Sequence, residues 1–301
     1  MTALVLPPAD GAPDAVLPGG CGLLEDCLFH LDSLGVGRAM VPCTPRSTPP
    51  MVFPRGMRVD SGPFGRMAAD AESAAAGEPF LLVDSSVIRR QDPSPLFRTA
   101  AAGAAAVVAL SSQATCGGRS LWTLPDGAVL HDDHASGRSN TADSGMWLVR
   151  PGLSRLLPLD RPAGIAAIYD ALGALGAGLA AEFCPGYTRR PGPGTAYLSA
   201  CGEILSGMAR PWSRALPRTG VLVEPGAILP DSAAVRGFLW ARSGSTIGEG
   251  VLLENCVLMP GCDVGERCSL RNSLVTEGAR VRSGTEAMDK TPKMFGRSGR
   301  E

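Results

Sequence analysis

The sequence predicts an α/β fold in two parts, a doubly wound sheet followed by a short parallel β-helix. Over residues 1–210, short aliphatic segments alternate with segments whose apolar residues have helical spacing. Residues 223–286 contain a repeat with a period of 17 residues. A proline-containing linker at 211–222 separates these regions, and residues 287–301 form a polar tail. A chain of 301 residues is long enough for two such domains.

Strands and helices alternate along the first region. Residues 2–6 are a short aliphatic run, whereas 21–34 carries apolar residues at helical spacing and ends at Gly35, a helix stop. This alternation predicts a Rossmann-like parallel sheet with helices on both faces. Further strands are predicted at 38–41, 80–83, 105–110 and 178–183, and on both sides of a polar loop within 119–149. Further helices are predicted at 64–76, 95–103, 152–157, 164–175 and 195–205.

The repeat has the signature of a parallel β-helix. Ile247, Val264 and Val281 are equivalent positions, and aliphatic anchors recur within each unit after 6, 6 and 5 residues. One short strand cannot bury its apolar face alone, whereas stacked coils bury a continuous core. Asn255 and Asn272 are also 17 residues apart. They predict either a stacked amide ladder or turn positions that tolerate left-handed backbone angles.

The composition excludes several classes of function. A net charge of -1 leaves no basic surface of the kind that nucleic acid requires. No apolar run reaches the roughly 18 residues that a membrane span needs. Nine cysteines without CxxC spacing favour a reducing, cytoplasmic environment. Lys290 and Lys293 are the only lysines, so no ammonium group acts within the first 289 residues.

Four segments resemble one enzyme family in order and spacing. Residues 77–88 (GEPFLLVDSSVI) resemble the pattern xEPFLVxNGDVL, and 143–153 (DSGMWLVRPGL) resemble NAGIYVLxPEL. Residues 16–41 and 186–207 match two further patterns. The family is the sugar-phosphate nucleotidyltransferases, the NDP-sugar pyrophosphorylases such as mannose-1-phosphate guanylyltransferase. The resemblance implies a mixed nucleotidyltransferase-like sheet followed by a left-handed β-helix of hexapeptide repeats.

The resemblance also implies a chemistry and a site. In that family a sugar phosphate attacks the α-phosphorus of a nucleoside triphosphate and releases pyrophosphate. A glycine-rich loop and basic side chains hold the phosphates, and carboxylates hold Mg²⁺. The ligand-binding positions carried over by resemblance are Gly11, Asp84, Asp143, Gly145, Gly186 and Tyr187.

The chain departs from the family at the positions that perform catalysis. The loop at 7–13 has three prolines, which lack N–H donors, and no arginine. Asp14 stands where the family has a lysine, and Ser86 and Arg190 stand at its two metal-binding aspartates. The resemblance therefore predicts a degenerate, non-catalytic relative that binds a sugar phosphate or NDP-sugar and needs no cofactor. The alternative is a divergent active enzyme with Asp84 as its catalytic residue and Mg²⁺ ligand, since Asp84 lies on the same strand face as Ser86.

Other functions remain as weaker alternatives. His131 and His134 flank two aspartates, but their surroundings indicate a solvated loop rather than a metal site. Acyl transfer by hexapeptide-repeat proteins uses a histidine base, and no histidine lies within 223–286. Six arginines form either a phosphate site or a scattered solvated face: Arg46, Arg55, Arg58, Arg66, Arg189 and Arg190.

An assembly role is the third class of function. The resemblance implies a homo-oligomer, or a hetero-oligomer with an active paralogue, joined through the β-helix. The apolar run Phe238, Leu239 and Trp240 is a candidate for an exposed assembly contact. Alternatively, these side chains cap the first coil. No nucleic acid and no membrane is expected as a partner.

Overall fold

The computed structural model describes residues 1–6, 16–42, 53–104, 106–112, 122–123, 129–130, 141–152, 179–209 and 216–289. Two compact units are distinguished, one comprising Met1–Val16 and Gly22–Arg190 and the other Leu17–Cys21 and Pro191–Glu301. The loop with Gly11, the segment with His131 and His134, the helices predicted at 152–157 and 164–175, and the last twelve residues lie outside the described residues.

Mixed strand pairing characterises the first unit. The strands up to Arg190 are β1 (Thr2–Leu6), β2 (Val16–Leu17), β3 (Cys21–Gly22), β4 (Arg38–Pro42), β5 (Arg58–Gly62), β6 (Phe80–Asp84), β7 (Ile88–Gln91), β8 (Ala106–Ser112), β9 (Trp122–Thr123), β10 (Val129–Leu130), β11 (Thr141–Val149), β12 (Leu179–Phe183) and β13 (Gly186–Arg189). The helices are α1 (Leu23–Ser33), α2 (Phe64–Ala75) and α3 (Ser94–Ala101). A seven-stranded sheet has the order β12-β8-β11-β6-β1-β4-β5, in which β11 is antiparallel to both neighbours. The predicted mixed α/β sheet is confirmed.

Helices cover both faces of this sheet because its strands are apolar on both sides. Alternate residues of a strand point to opposite faces, so Leu4 packs with α2 whereas Val5 packs with α1 and α3. Trp147 of β11 is fully buried on the α2 face. Met146 faces the other core. The sheet therefore lies at the centre of two apolar cores.

Parallel strands stacked at the predicted period form the second unit. Its elements are α4 (Thr195–Leu205), β14 (Val221–Val223), β15 (Ala234–Ala241), β16 (Thr246–Ile247), β17 (Leu252–Leu258), β18 (Asp263–Val264), β19 (Ser269–Val275), β20 (Arg280–Val281) and β21 (Glu286–Met288). They form a five-stranded sheet, β14-β15-β17-β19-β21, and a three-stranded sheet, β16-β18-β20, with every pairing parallel. Leu253 lies opposite Leu270 and Val264 opposite Val281, as the 17-residue period predicts.

The asparagine ladder is confirmed, and so are the left-handed backbone angles. Asn255 and Asn272 have φ of 53° and 44°. Nδ2 of Asn255 donates to Oδ1 of Asn272 over 3.1 Å, and Nδ2 of Asn272 donates to Oδ1 of Asp289 over 3.0 Å. Asparagine tolerates this backbone conformation and satisfies its amide along the stack. The cysteines at 256, 262 and 268 are buried in the core of the same unit.

The expected exposure of the apolar run at 238–240 is wrong for Leu239 and Trp240. Leu239 and Trp240 are 0% exposed, and Phe238 is half-buried against Gly202 of α4. Leu239 belongs to the core of the repeat, and the indole Nε1 of Trp240 donates to Oε1 of Glu224 over 2.9 Å. Leu239 and Trp240 are therefore not exposed for an assembly contact, whereas Phe238 is partly exposed.

None of the helices in the described part of the chain combines the length and apolar character needed to cross a membrane.

Candidate ligand site at the carboxyl edge of the sheet

The candidate site lies where the central strands of the sheet end. Strands β1 and β6 are parallel, and their last residues, Leu6 and Asp84, are paired. Strand β11 runs the opposite way, so its beginning, with Asp143 and Gly145, lies at the same edge. Ser85 fixes this edge, since both its N–H and its hydroxyl donate to the carbonyl of Leu6, over 3.0 and 2.8 Å. In open α/β sheets, ligands bind outside the carboxyl ends of the strands.

The carboxylate of Asp84 is bound on both oxygens by side chains of the protein. Oδ1 accepts from the N–H and the hydroxyl of Ser86, over 2.9 and 2.7 Å. Oδ2 accepts from Nη2 of Arg190 over 2.8 Å, and Nη1 of Arg190 donates to the hydroxyl of Ser86. The side chain of Asp84 is 5% exposed and that of Arg190 is 29% exposed. We call these three residues the Asp84 cluster.

A second arginine holds the strands around this cluster. Arg89 of β7 is fully buried, and its Nη2 donates to the carbonyls of Asp84, Ser144 and Gly145 over 2.8, 3.1 and 3.1 Å. Backbone carbonyls, rather than a carboxylate, thus accept from this guanidinium. On its other side Nη1 lies 3.7 Å from Sγ of Cys27, and burial raises the pKa of that thiol to about 12. Arg89 therefore fixes the end of β6 against β11.

The irregular start of β11 needs a glycine. The register of β11 against β8 shifts between Asp143 and Trp147, and Gly145 within this bulge has φ of +73°. A Cβ there would lie 3.0 Å from both Nη2 of Arg89 and Cβ of Asp84. Oδ1 of Asp143, which is buried, accepts from the N–H of Gly145 over 2.8 Å. The structure thus brings together Asp84, Asp143 and Gly145.

The other two predicted positions lie on β13, which delivers Arg190 to the cluster. Strand β13 pairs with β7 in antiparallel fashion, with Gly186 opposite Gln91 and Tyr187 opposite Arg90. Gly186 has φ of +128°, and a Cβ on it would lie 2.1 Å from the carbonyl oxygen of Arg90. Two residues lie between Tyr187 and Arg190, which places their backbones about 10 Å apart along an extended chain. The contacts described for Gly186 are with residues of β7.

Two of the other arginines singled out in the sequence form exposed ion pairs. Arg58 pairs with Asp60 and Arg66 with Asp70, and both arginine side chains are largely exposed. Arg55 is exposed as well, whereas Arg46 lies outside the described residues. Arg55, Arg58 and Arg66 fit the interpretation of a scattered solvated face, whereas Arg189 of β13 and Arg190 are both half-buried.

Comparison with known proteins identifies the fold. No family model matches the chain, and no curated protein matches it by sequence. Among solved structures, UDP-glucose pyrophosphorylase from Acinetobacter baumanii is similar with a TM-score of 0.50 and 13% identity, covering 70% of this chain and 96% of that one. HddC from Yersinia pseudotuberculosis is similar with a TM-score of 0.52 and 15% identity, covering 67% of this chain and 98% of that one.

These likenesses show a sugar nucleotidyltransferase-like fold, as the sequence resemblance predicted. Because the sequence identities are this low, these similarities establish the fold and give no information on activity. The site must therefore be judged from its own residues.

The Mg²⁺ that such a fold implies does not fit the side chains at Asp84. Mg²⁺ takes oxygen ligands and usually keeps several waters, so it needs carboxylate oxygens that face open space. Both oxygens of Asp84 already accept hydrogen bonds, and a guanidinium lies where the ion's charge would be. Within the described ranges there is also no group of three or more His, Cys, Asp or Glu that could hold a metal.

The sequence itself contains a signal for this arrangement. Ser86 and Arg190 stand at the positions where the resembling family has its metal-binding aspartates. Yet Arg190 brings a positive charge to the place where Asp84 retains a negative one, which predicts an ion pair between them. Arg89, by contrast, carried no motif that would have marked it.

Proposed function

We propose that this chain is a non-catalytic, sugar nucleotidyltransferase-like protein that binds a sugar phosphate or an NDP-sugar. It acts through assembly with further copies of itself or with an active paralogue, in the cytoplasm. The proposal includes the division into an α/β domain at 1–210 and a left-handed β-helix at 223–286. The observation that carries it is the ion pair of Arg190 with Asp84.

Charge balance is the physical reason for expecting no catalysis. Attack on a nucleoside triphosphate needs cationic groups that neutralise the charge developing on the phosphates. The guanidinium of Arg190 is engaged by Asp84 and Ser86, and no lysine precedes Lys290. Loss of a single oxyanion-stabilising donor typically raises a barrier by about 2.7–4 kcal/mol, which is a factor of about 10² to 10³ in rate.

Retention of a ligand is supported by the part of the site that remains. The crevice edge keeps Asp84, Asp143 and Gly145 at the carboxyl ends of the strands. Arg190 pairs with Asp84 but is 29% exposed, and because a guanidinium has five N–H donors it can also donate to a phosphate in the ground state. Binding needs only the ground state of the ligand to be held, so it survives where transition-state stabilisation has been lost.

An active enzyme is the second candidate, and one observation favours it. Asp84 is a buried carboxylate at the end of a central strand, next to the bulge that holds Asp143. In that function Asp84 would be the metal ligand, and Arg190 would have to leave it before each turnover.

A pyrophosphate-release assay separates the two candidates. The purified protein is incubated with Mg²⁺, each of the common nucleoside triphosphates, and a panel of sugar 1-phosphates. The proposal predicts release no faster than with the Asp84→Ala variant. Steady turnover that Asp84→Ala abolishes would establish the active enzyme instead.

Calorimetric titration with the same sugar phosphates and with NDP-sugars tests ligand retention. Saturable binding to the wild-type protein is expected. No binding of any member of either panel would contradict the ligand-binding part of the proposal. The mass of the protein in solution tests assembly, and a monomer that joins no relative would count against it.

A further inference from the structure

We infer that Arg190 is the resident cation of this site: the Asp84 cluster is a divalent-cation site in which a guanidinium takes the place of the ion. This inference rests on the proposed function, because it explains how the site became silent. It also makes a claim of its own, that removal of one side chain opens a metal site.

The hydrogen bonding of the Asp84 carboxylate supports this inference. Asp84 is almost completely buried, and a buried carboxylate needs a cation or several donors. Ser86 supplies two donors to Oδ1, while Oδ2 accepts from Arg190. A divalent ion would likewise bring positive charge to a carboxylate oxygen of Asp84.

Arg190 also binds two oxygen groups that could act as ligands of an ion. Its two terminal nitrogens divide between the carboxylate of Asp84 and the hydroxyl of Ser86. Both partners are oxygen groups of the kind that Mg²⁺ and Mn²⁺ take as ligands. A tethered guanidinium at this place excludes the ion by charge repulsion and by occupying the ligand atoms.

Asp84 and Ser86 are held in place independently of Arg190. Arg89 fixes the backbone at Asp84 through its carbonyl, and Ser85 fixes the next residue to β1. The donors to Oδ1 come from Ser86, which is two residues along the same turn. Removal of the Arg190 side chain therefore leaves Asp84 and Ser86 in position to receive an ion.

Titration with Mn²⁺, followed by electron paramagnetic resonance of the free ion, tests the inference. The wild-type protein is expected to show no saturable site. Arg190→Asp supplies a second carboxylate at this position and is expected to bind one Mn²⁺ saturably, at least about tenfold more tightly than any residual, non-saturating binding by wild type. Adding Asp84→Asn to that variant is expected to remove the site. Arg218→Asp, an identical change at an exposed position of the second unit, serves as the control and is expected to behave as wild type.

Thermal unfolding provides a second readout. If Arg190→Asp does not fold, Arg190→Gln is a milder variant for the same measurement. An ion that binds only the folded state raises the unfolding temperature, so Mn²⁺ should stabilise the Arg190 variants and leave wild type unchanged. One Mn²⁺ bound to wild type and lost in Asp84→Asn would overturn the inference. Folded Arg190 variants without a Mn²⁺ site would overturn it too. Either outcome is independent of pyrophosphate release, which tests the proposed function alone.

Discussion

Breaking the Asp84–Arg190 pair should destabilise the first unit by an amount set by burial. Arg190→Ala leaves the carboxylate of Asp84 buried, with the donors of Ser86 but without a cation. Removing one partner of a fully buried pair costs about 3–5 kcal/mol. Because the side chain of Arg190 is 29% exposed, water replaces part of the loss, and we expect about 2–3 kcal/mol. Asp84→Asn should cost less, since the guanidinium that it strands can reach solvent.

A double-mutant cycle isolates the interaction from these separate losses. The free energy of unfolding is measured in urea for wild type, Arg190→Ala, Asp84→Asn and the double variant, by circular dichroism and tryptophan fluorescence. We expect a coupling energy of about 1.5–2 kcal/mol. Arg66 and Asp70 on α2 form an exposed pair at 3.5 Å, and the same cycle there should give about 0.3–0.5 kcal/mol. Additive effects at Asp84 and Arg190, within about 0.3 kcal/mol, would refute the reasoning.

Three further predictions concern the framework around the site and the repeat. Burial, with Arg89 and Arg90 nearby, lowers the pKa of His30 to about 3. The unfolded chain binds a proton at His30 below a pH of about 6.5, so the free energy of unfolding should be constant above that pH and fall below it by about 1.4 kcal/mol per pH unit. The urea midpoint of wild type should therefore drop more steeply towards pH 5 than that of His30→Leu. Parallel slopes for the two proteins would contradict this. Asn272→Ala should lower the free energy of unfolding by about 1–2 kcal/mol, because it removes two hydrogen bonds and places alanine at a positive φ. Asn272→Gly removes only the hydrogen bonds and should cost less in the same assay. An equal cost for the two variants would refute the backbone argument. Gly186→Ala should separate β13 from β7, because the new Cβ would lie 2.1 Å from a carbonyl oxygen, and faster amide exchange on both strands should report it; unchanged exchange would show that the strands adjust.

The repeat could be predicted in detail because its periodicity is local. A period of 17 residues fixes which side chains stack, so Leu253 had to meet Leu270, and the ladder from Asn255 to Asn272 followed. Asparagine is also one of the few residues that tolerates positive φ, so its recurrence indicated backbone and side chain together. In the first unit, segments such as Phe80–Asp84 were predictable because continuously apolar runs mark the interior strands of a parallel sheet.

Features that depend on tertiary contacts could not be predicted in this way. Strands β7 and β13 are four residues each and carry charged residues, so no apolar pattern marks them. The burial of Trp240 depends on Glu224, which accepts from its indole, and on Arg242, whose guanidinium lies 4.9 Å from its ring centre. Neither partner is distinguishable from an ordinary surface charge in the sequence. An aromatic residue at the start of a repeat therefore looked exposed.

The ion pair of Asp84 with Arg190 could be predicted in part, since the sequence indicates its two residues but not their contact. The resemblance marked Ser86 and Arg190 as two losses, one at each metal position. Their relation required the fold, because β13 delivers Arg190 to Asp84 from 106 residues away. The explanation we propose is that Ser86 and Arg190, which stand where the resemblance places metal ligands, instead donate hydrogen bonds to Asp84, and that Arg190 supplies the positive charge.

The most direct test of that explanation is a crystal structure of the protein soaked with Mg²⁺, a nucleoside triphosphate and a sugar 1-phosphate. The account predicts Arg190 still on Asp84, near the present 2.8 Å, with no metal ion between Asp84 and any phosphate. A displaced Arg190 and a metal-bridged triphosphate, in line with the sugar phosphate, would contradict it.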